Sequence, residues 1–474
     1  MRRIFYVLFF IPCLFFSTEG FSQTNAKIKT VDLADQDPPV TLPLLVRGPY
    51  LQRATPVSIL IRWRTDALTR SCVHFGLRPD SLNQVVIDST LVTEHKMQVG
   101  TLKPSTKYYY SIGDVKVKLQ GDPANYFYTL PPAGKEGLYR IAAFGDCGNN
   151  STNQRNTRDQ LLLYLAGNYL NAWLLVGDNT YPDGTDAEYQ QNFFNIYKDN
   201  LLKNYPLFPC PGNHDYHDVE FSAERAQNSH EVAYYQNFSM PVSGESGGVA
   251  SGTSQYYSFD IGNIHFLSID SYGRADGKRL SDTTGPQAEW IRKDLEKAKN
   301  AEWIIAYWHH PPYSMGSHNS DKEMELVDIR KEFLPLLDRY GVDIVIGGHS
   351  HDYERSRPMY GYYGDNKSFD SAKYNMSGSS GKTKNDLDEM GAYTKRTIRE
   401  KGTVYVVTGS SGKLGGMQPE FPQKAMYYSD AVHGGVSLIE VKGKRLTYKW
   451  ICADGIIRDQ FTIIKKVKPL VRSK

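Results

Sequence analysis

Five short polar blocks, each set directly after a run of apolar residues, constrain this chain more than any other feature. Leu138–Phe144 runs into Gly145-Asp146, Asn171–Val176 into Gly177-Asp178, and Tyr205–Pro209 toward Gly212-Asn213-His214-Asp215. Trp303–Trp308 ends at His309, and Val342–Ile346 ends at Gly347-Gly348-His349-Ser350-His351. Short, continuous apolar runs read as strands covered on both faces. Between them lie helical patterns: Gly285–Ala298, with Ala288, Ile291, Leu295 and Ala298 on one stripe, and Glu323–Tyr340. Strands alternating with helices predict an α/β fold, in which ligands bind outside the carboxyl ends of the strands. Five strands ending in metal-capable residues therefore predict one site.

The residue types in these blocks suit hydrolysis by two metal ions. Such a site needs a bridging carboxylate that holds the ions about 3.5–4 Å apart, separate ligands for each ion, and open positions for water and phosphate oxygens. In chain order the candidates are Asp146, Asp178, Tyr181, Asn213, His309, His349 and His351. A single Gly-Asp at a strand end is commonly a plain turn. Gly-Asn-His-Asp and Gly-His-Ser-His are less ordinary, and an extended backbone would put His349 and His351 on the same side.

Together, Gly145-Asp-x-Gly148, Gly177-Asp-x-x-Tyr181, Gly212-Asn-His-Asp215, His309 and Gly348-His-x-His351 resemble the five-block signature of the purple acid phosphatases. Asp352-Tyr-Glu-Arg355 resembles the Tyr-Glu-Arg that follows the histidine pair in that family. The resemblance implies an α/β fold, a two-sheet αββα metallophosphoesterase sandwich over residues 137–466. It implies a first metal on Asp146, Tyr181 and His351, a second on Asn213, His309 and His349, and Asp178 as the bridge. A phenolate with carboxylates suits iron(III), and an amide with two imidazoles suits divalent zinc, iron or manganese. In the wider calcineurin-like superfamily an Asp-x-His supplies a histidine ligand where this chain has Gly148, a gap that Tyr181 would fill.

The same resemblance makes His214 a catalytic histidine at the substrate or leaving group. His318 matches the first of a histidine pair in larger members, whose second position is Asn319 here. Both would stabilise charge or protonate the leaving oxygen. His310 and His265 are expected to pack. The implied reaction is hydrolysis of small-molecule phosphate monoesters by metal-activated water, of the acid phosphatase type, with no Ser or Cys nucleophile evident. The same ligands would serve a phosphodiesterase or nucleotide hydrolase. A non-catalytic exported binding protein is the reading from another class.

The chain's 474 residues exceed one ordinary core, so more than one domain is expected. Arg2 and Arg3, the apolar run Ile4–Phe16, and Gly20 and Ser22 before Gln23 read as a cleavable signal over 1–22, hence a secreted or periplasmic protein. That run falls short of the roughly 20 residues a membrane span needs. Residues 23–42 read as a flexible lead-in. Across 43–131, Ser58–Trp63, Ser71–Phe75, Lys107–Ser111 and Asn125–Thr129 predict a fibronectin type III-like β-sandwich. Residues 360–400, rich in Gly, Ser, Lys, Tyr and Asn, read as a surface insertion and candidate lid. Thr403–Thr408, Val436–Val441, Leu446–Ile451 and Ile456–Ile464 are expected together in the second sheet. A net charge of +3 gives no ground for a nucleic-acid partner. Cys147 and Cys210 lie in blocks that should converge, so a disulfide and two buried thiols are both open.

Overall fold

Alternation along the strands explains the central architecture. In the strand Trp303–Tyr307, Trp303, Ile305 and Tyr307 belong to one hydrophobic cluster, while Ile304 and Ala306 belong to another. Both faces are covered, which is why the strand is apolar throughout. The first cluster fills the space between two sheets. The second lies under the helices Pro286–Lys297 and Leu334–Tyr340, whose Ile291, Leu295, Leu336 and Leu337 it contains.

The computed structural model describes residues 42–216, 223–385 and 387–466. The expected signal and nearly all of the lead-in lie outside the described residues. Six strands come first: β1 (Leu45–Gln52), β2 (Ile59–Gly76), β3 (Gln84–Val99), β4 (Lys107–Gly113), β5 (Lys118–Gln120) and β6 (Tyr126–Tyr128). Then follow β7 (Leu138–Phe144), β8 (Ala172–Val176), β9 (Leu207–Cys210), β10 (Tyr257–Ile261), β11 (Ile264–Ser268), β12 (Trp303–Tyr307), β13 (Ile344–Gly347) and β14 (Tyr353–Ser356). The last six are β15 (Tyr393–Lys395), β16 (Val404–Thr408), β17 (Met426–Asp430), β18 (Gly435–Lys442), β19 (Arg445–Cys452) and β20 (Ile457–Lys465).

One seven-stranded sheet has the order β10-β11-β12-β13-β16-β14-β17, and the other β15-β20-β19-β18-β7-β8-β9. The five blocks are thus divided. Those after β7, β8 and β9 belong to one sheet, and those after β12 and β13 to the other. The site forms where the carboxyl ends of both meet. The strands read as a C-terminal second sheet are likewise split: β18–β20 extend the sheet of β7, through antiparallel pairing of β18 with β7, whereas β16 pairs in parallel with β13. Facing aromatics close the gap between the sheets, with Phe208 stacked on Phe259 at 3.8 Å and Tyr353 on Trp450 at 4.4 Å.

The N-terminal region is all-β, as expected. Its six strands are hydrogen-bonded as one sheet. Ser58–Trp63 and Ser71–Phe75, read as separate strands, are the two ends of the single long β2, which pairs with β1, β3 and β4 and changes register between Arg64 and Ser71. This region and the rest of the chain from Pro43 onward cluster as one compact unit. Arg47 and Arg64 fasten them by ion pairs with Asp186 at 3.0 and 2.5 Å.

Residues 360–400 do not contact the seven candidate ligands through any hydrogen bond found among the described residues. They run along the outside: Tyr363 donates to Asp338, Ser380 and Tyr393 accept from Arg355, and β15 adds in parallel to β20. No helix among the described residues is long and apolar enough to cross a membrane.

Candidate metal centre

Three of the seven candidate ligands occupy backbone conformations that side chains other than glycine rarely adopt. Asp146, Asp178 and His349 have φ of 54°, 49° and 67°. Each follows a strand directly or within a residue or two, and the left-handed turn swings the side chain off the strand line into the common space. Such strain persists only where surrounding bonds over-determine it, and it concentrates at functional sites. Here the bonds are visible. Asp146 Oδ2 accepts the His349 amide at 2.9 Å, and Asp178 Oδ1 accepts the His214 amide at 2.9 Å.

The side chains fall into two groups of donor atoms. In the first, the Tyr181 hydroxyl lies 2.9 Å from Asp146 Oδ1, 3.0 Å from Asp178 Oδ2 and 3.4 Å from His351 Nε2. In the second, His309 Nε2 lies 3.1 Å from Asn213 Oδ1 and 3.3 Å from Asp178 Oδ1. The two oxygens of Asp178 therefore face different groups. Asp146, Asp178 and His309 offer ligand atoms within 4.8 Å of one another, the spacing of groups that could hold a metal ion.

Glycines make this approach feasible. A Cβ on Gly148 would lie 2.0 Å from the Asn179 carbonyl oxygen, so no side chain fits there. Gly148 O accepts the Tyr181 amide at 2.9 Å, and the tyrosine supplies the oxygen instead. A Cβ on Gly212 would strike Asp178 Oδ1 at 2.2 Å. Asp215, the last residue of the third block, anchors rather than ligates. Its buried carboxylate accepts the amides of Gly212 and Asn179, the Asn179 side chain and the Tyr189 hydroxyl. Burial, then the nearby Asp178, pushes its pKa up to about 7.

Neighbours fix which imidazole nitrogen is free. His309 Nδ1 donates to the Val176 carbonyl at 3.0 Å, leaving Nε2 toward Asn213 and Asp178. His349 Nε2 faces Glu323 Oε2 at 3.1 Å, leaving Nδ1. His214 Nδ1 donates to the Pro182 carbonyl at 2.6 Å, and its Nε2 lies 3.9 Å from Asp178 Oδ2. Outer partners of this kind set tautomer and orientation in metal-binding histidines.

Buried carboxylates and imidazoles perturb one another strongly across the site. Burial disfavours the His309 cation, but Asp178 and Asp146 outweigh it and hold its pKa up at about 9. Burial drives Asp146 well above the usual carboxyl range; His309 opposes the rise and Asp178 adds to it. Burial lowers His349 to about 4 and His351 to about 3, so both rings are neutral and able to ligate. Burial, with Asp146 and Asp178, pushes the Tyr181 phenol well up. A phenol proton shared between two buried carboxylates marks a place where a cation would compete with that proton.

The structure brings all seven sequence candidates and His214 together, with one correction in geometry. His349-Ser350-His351 is not extended: Ser350 N bonds to Gly348 O and Asp352 N to Ser350 O, a tight turn that begins at the left-handed His349. His351 therefore faces Tyr181, whereas His349 faces His309 and His318, with ring centroids 5.0 and 3.7 Å away. His318 is half-buried beside the site. His310 packs against His349 and bonds Ser271, and His265 sits away from the site between Asp260 and Asp294. All four cysteines outside the expected signal are buried free thiols.

Sequence reasoning missed Glu323. Its Oε2 receives both His318 Nδ1, at 2.9 Å, and His349 Nε2. The only signal was a carboxylate five residues after His318, at the start of a helix.

Residues 139–353 match the calcineurin-like phosphoesterase family. Purple acid phosphatase 15 of Arabidopsis thaliana is 33% identical over 290 residues, which cover 56% of this chain and 50% of that protein. Purple acid phosphatase 23 of the same plant is 32% identical, with 56% and 58% covered. This chain thus spans about half the length of these two curated relatives. Acid phosphatase type 7 of Homo sapiens is 28% identical over 390 residues, 75% of each chain. Among solved structures, a purple acid phosphatase from yellow lupin (Lupinus luteus) seeds has a TM-score of 0.64 at 18% identity, covering 89% of this chain and 74% of that one. PhoD has a TM-score of 0.62 at 12% identity, covering 91% and 92%. Both are likenesses of fold. Residues 139–353 are accordingly similar to the calcineurin-like phosphoesterases, and the chain is similar over more than half its length to purple acid phosphatases.

Proposed function

We propose that this chain is a two-metal phosphatase that hydrolyses phosphate monoesters. The observation that carries the reading is Asp178, whose two carboxylate oxygens face separate sets of donors. Asp146, Tyr181 and His351 would hold one ion, with a phenolate and carboxylates suited to iron(III). Asn213, His309 and His349 would hold a divalent zinc, iron or manganese ion. Bound metal ions would supply Lewis-acid charge neutralisation and an activated water.

The chain's own residues then have defined tasks. Asp178 and Asp146, both buried, set the spacing of the donors. His214, tethered through Nδ1 to Pro182, presents Nε2 beside Asp178, where it can donate to a phosphoryl oxygen or the leaving oxygen. Glu323 orients His349 and His318, and His318 is the second candidate proton donor at the half-open side. The aromatic and apolar shell beneath keeps competing water from the buried donors.

Purified protein should contain metal and hydrolyse p-nitrophenyl phosphate, and Asp178→Ala or His349→Ala should abolish both metal retention and turnover. Near-normal turnover by a variant that has lost its metal refutes the assignment. Export completes the reading. Mature protein recovered outside the cytoplasm should begin at Gln23, and an intact Met1 terminus on cytoplasmic protein would remove it.

A further inference from the structure

A lysine that no sequence block announced sits on the candidate tyrosine ligand. The ammonium of Lys413 lies 4.7 Å from the centroid of the Tyr181 ring. It has no carboxylate ion-pair partner among the described residues, although the phenol beneath it is flanked by Asp146 and Asp178. The backbone that carries it is held firmly. Ser411 N donates to Gly145 O, Lys413 N to Asp146 O, and Gly415 N to His351 O. This turn is therefore sewn onto the loops that carry Asp146 and His351. Its glycines permit the approach: a Cβ on Gly412 would lie 2.3 Å from the Cys147 carbonyl oxygen, and one on Gly415 2.6 Å from Ser317.

We infer that Lys413 is a tuning residue for Tyr181, acting through the ring on the energy of its phenolate rather than by touching substrate. The inference rests on the reading of Tyr181 as an iron(III) ligand. An ammonium over an aromatic face is attracted by the ring's electron density. That attraction grows when the phenol loses its proton and the ring carries negative charge. Because Lys413 sits over the ring itself, it would lower the donor level of the phenolate more than the acceptor level of the ion. A phenolate-to-iron charge-transfer band is then held at shorter wavelength than the same site would show without the lysine.

The test is the visible spectrum of the full-length mature protein loaded with iron, with absorbance expressed per bound iron. Lys413→Met and Lys413→Gln should both move the band to longer wavelength, and Lys413→Arg should restore the wild-type position. A purely structural role would change how much iron binds, but not where the absorbance per iron has its maximum. A band at the wild-type wavelength in both neutral variants overturns the role of Lys413 and leaves Tyr181 as ligand intact. Iron-loaded wild-type protein with no visible band, or a band that survives Tyr181→Phe, removes the tyrosinate reading and this inference with it.

Discussion

His265 offers a test of electrostatics far from the metal centre. It lies in β11, with Nδ1 2.8 Å from Asp260 on the paired strand β10 and Nε2 2.7 Å from Asp294 on the helix Pro286–Lys297. Asp294 is itself pinned by Ser258 and the Val249 amide, so hairpin and helix are joined through this ring. Burial opposes the charged ring, but hydrogen bonds to Asp260 and Asp294 prevail and hold its pKa at about 9. The unfolded value is about 6.5. The folded state therefore binds the proton more tightly, and the stabilisation is complete below about pH 6.5 and is lost as pH rises through about 9. Its size is roughly 3 kcal/mol, from about 1.4 kcal/mol per pH unit of difference.

The perturbation is His265→Gln, which keeps hydrogen bonding but cannot carry the charge. Urea unfolding of both proteins at pH 6.5 and 9.5, followed by tryptophan fluorescence in the same metal state, isolates the effect, since all other titrations cancel in the difference. Wild type should lose about 3 kcal/mol more than the variant over that interval. At pH 6.5 the variant should be the weaker by about 3–5 kcal/mol, because two carboxylates then face each other without a cation. Equal losses in the two proteins would show that the ring is not charged in the fold, and the reasoning fails.

Glu323→Gln should weaken the hold on the second metal about 10–100-fold, read by competition with a chelator, while the metal on the Tyr181 side is retained. Asp215→Ala removes the acceptor from two buried amides and the Asn179 side chain, and should lower stability by about 3 kcal/mol or more in urea unfolding. Arg64→Ala should cost only about 1 kcal/mol in the same measurement, because Asp186 is 40% exposed and solvent screens the pair.

The parts of this fold that were legible in the sequence are those where one physical demand acts on consecutive residues. β7, β8 and β12 are covered on both faces, so their apolar runs announce them, and the polar residues that end them stand out by contrast. β3 obeys no such demand. Gln84–Val99 is largely exposed along most of its length and pairs only with β2, so its side chains carry no period that marks a strand. The break in β2 misled for a related reason. Asp66 and Ala67 are exposed and turn-like, yet the strand continues through them because hydrogen bonds to β1 on one side and β4 on the other use its two ends.

The candidate site divides along the same line. Most of its candidate ligands were readable because they closely follow buried strands, where a polar residue must have a reason to be; Tyr181, well past the end of β8, was readable only through the family resemblance. Glu323 and Lys413 come from segments that are polar anyway, so nothing in their own neighbourhoods distinguishes them from solvated charges. What gives them meaning is chain that lies far away in sequence: Glu323 is defined by His349 and His318, and Lys413 by Tyr181. The same holds for the left-handed backbone at Asp146, Asp178 and His349, which nothing in the local sequence requires. It is tolerated because each carboxylate is held by an amide from another block, Asp146 by His349 and Asp178 by His214. The blocks are thus mutually supporting, and loss of one should displace the backbone of its partner as well as remove a ligand. His349→Gly would test that: it relieves the left-handed strain and keeps the amide, so Asp146 should stay in place while the second metal is lost. Loss of both metals together would show that the ring, and not the amide, fixes Asp146.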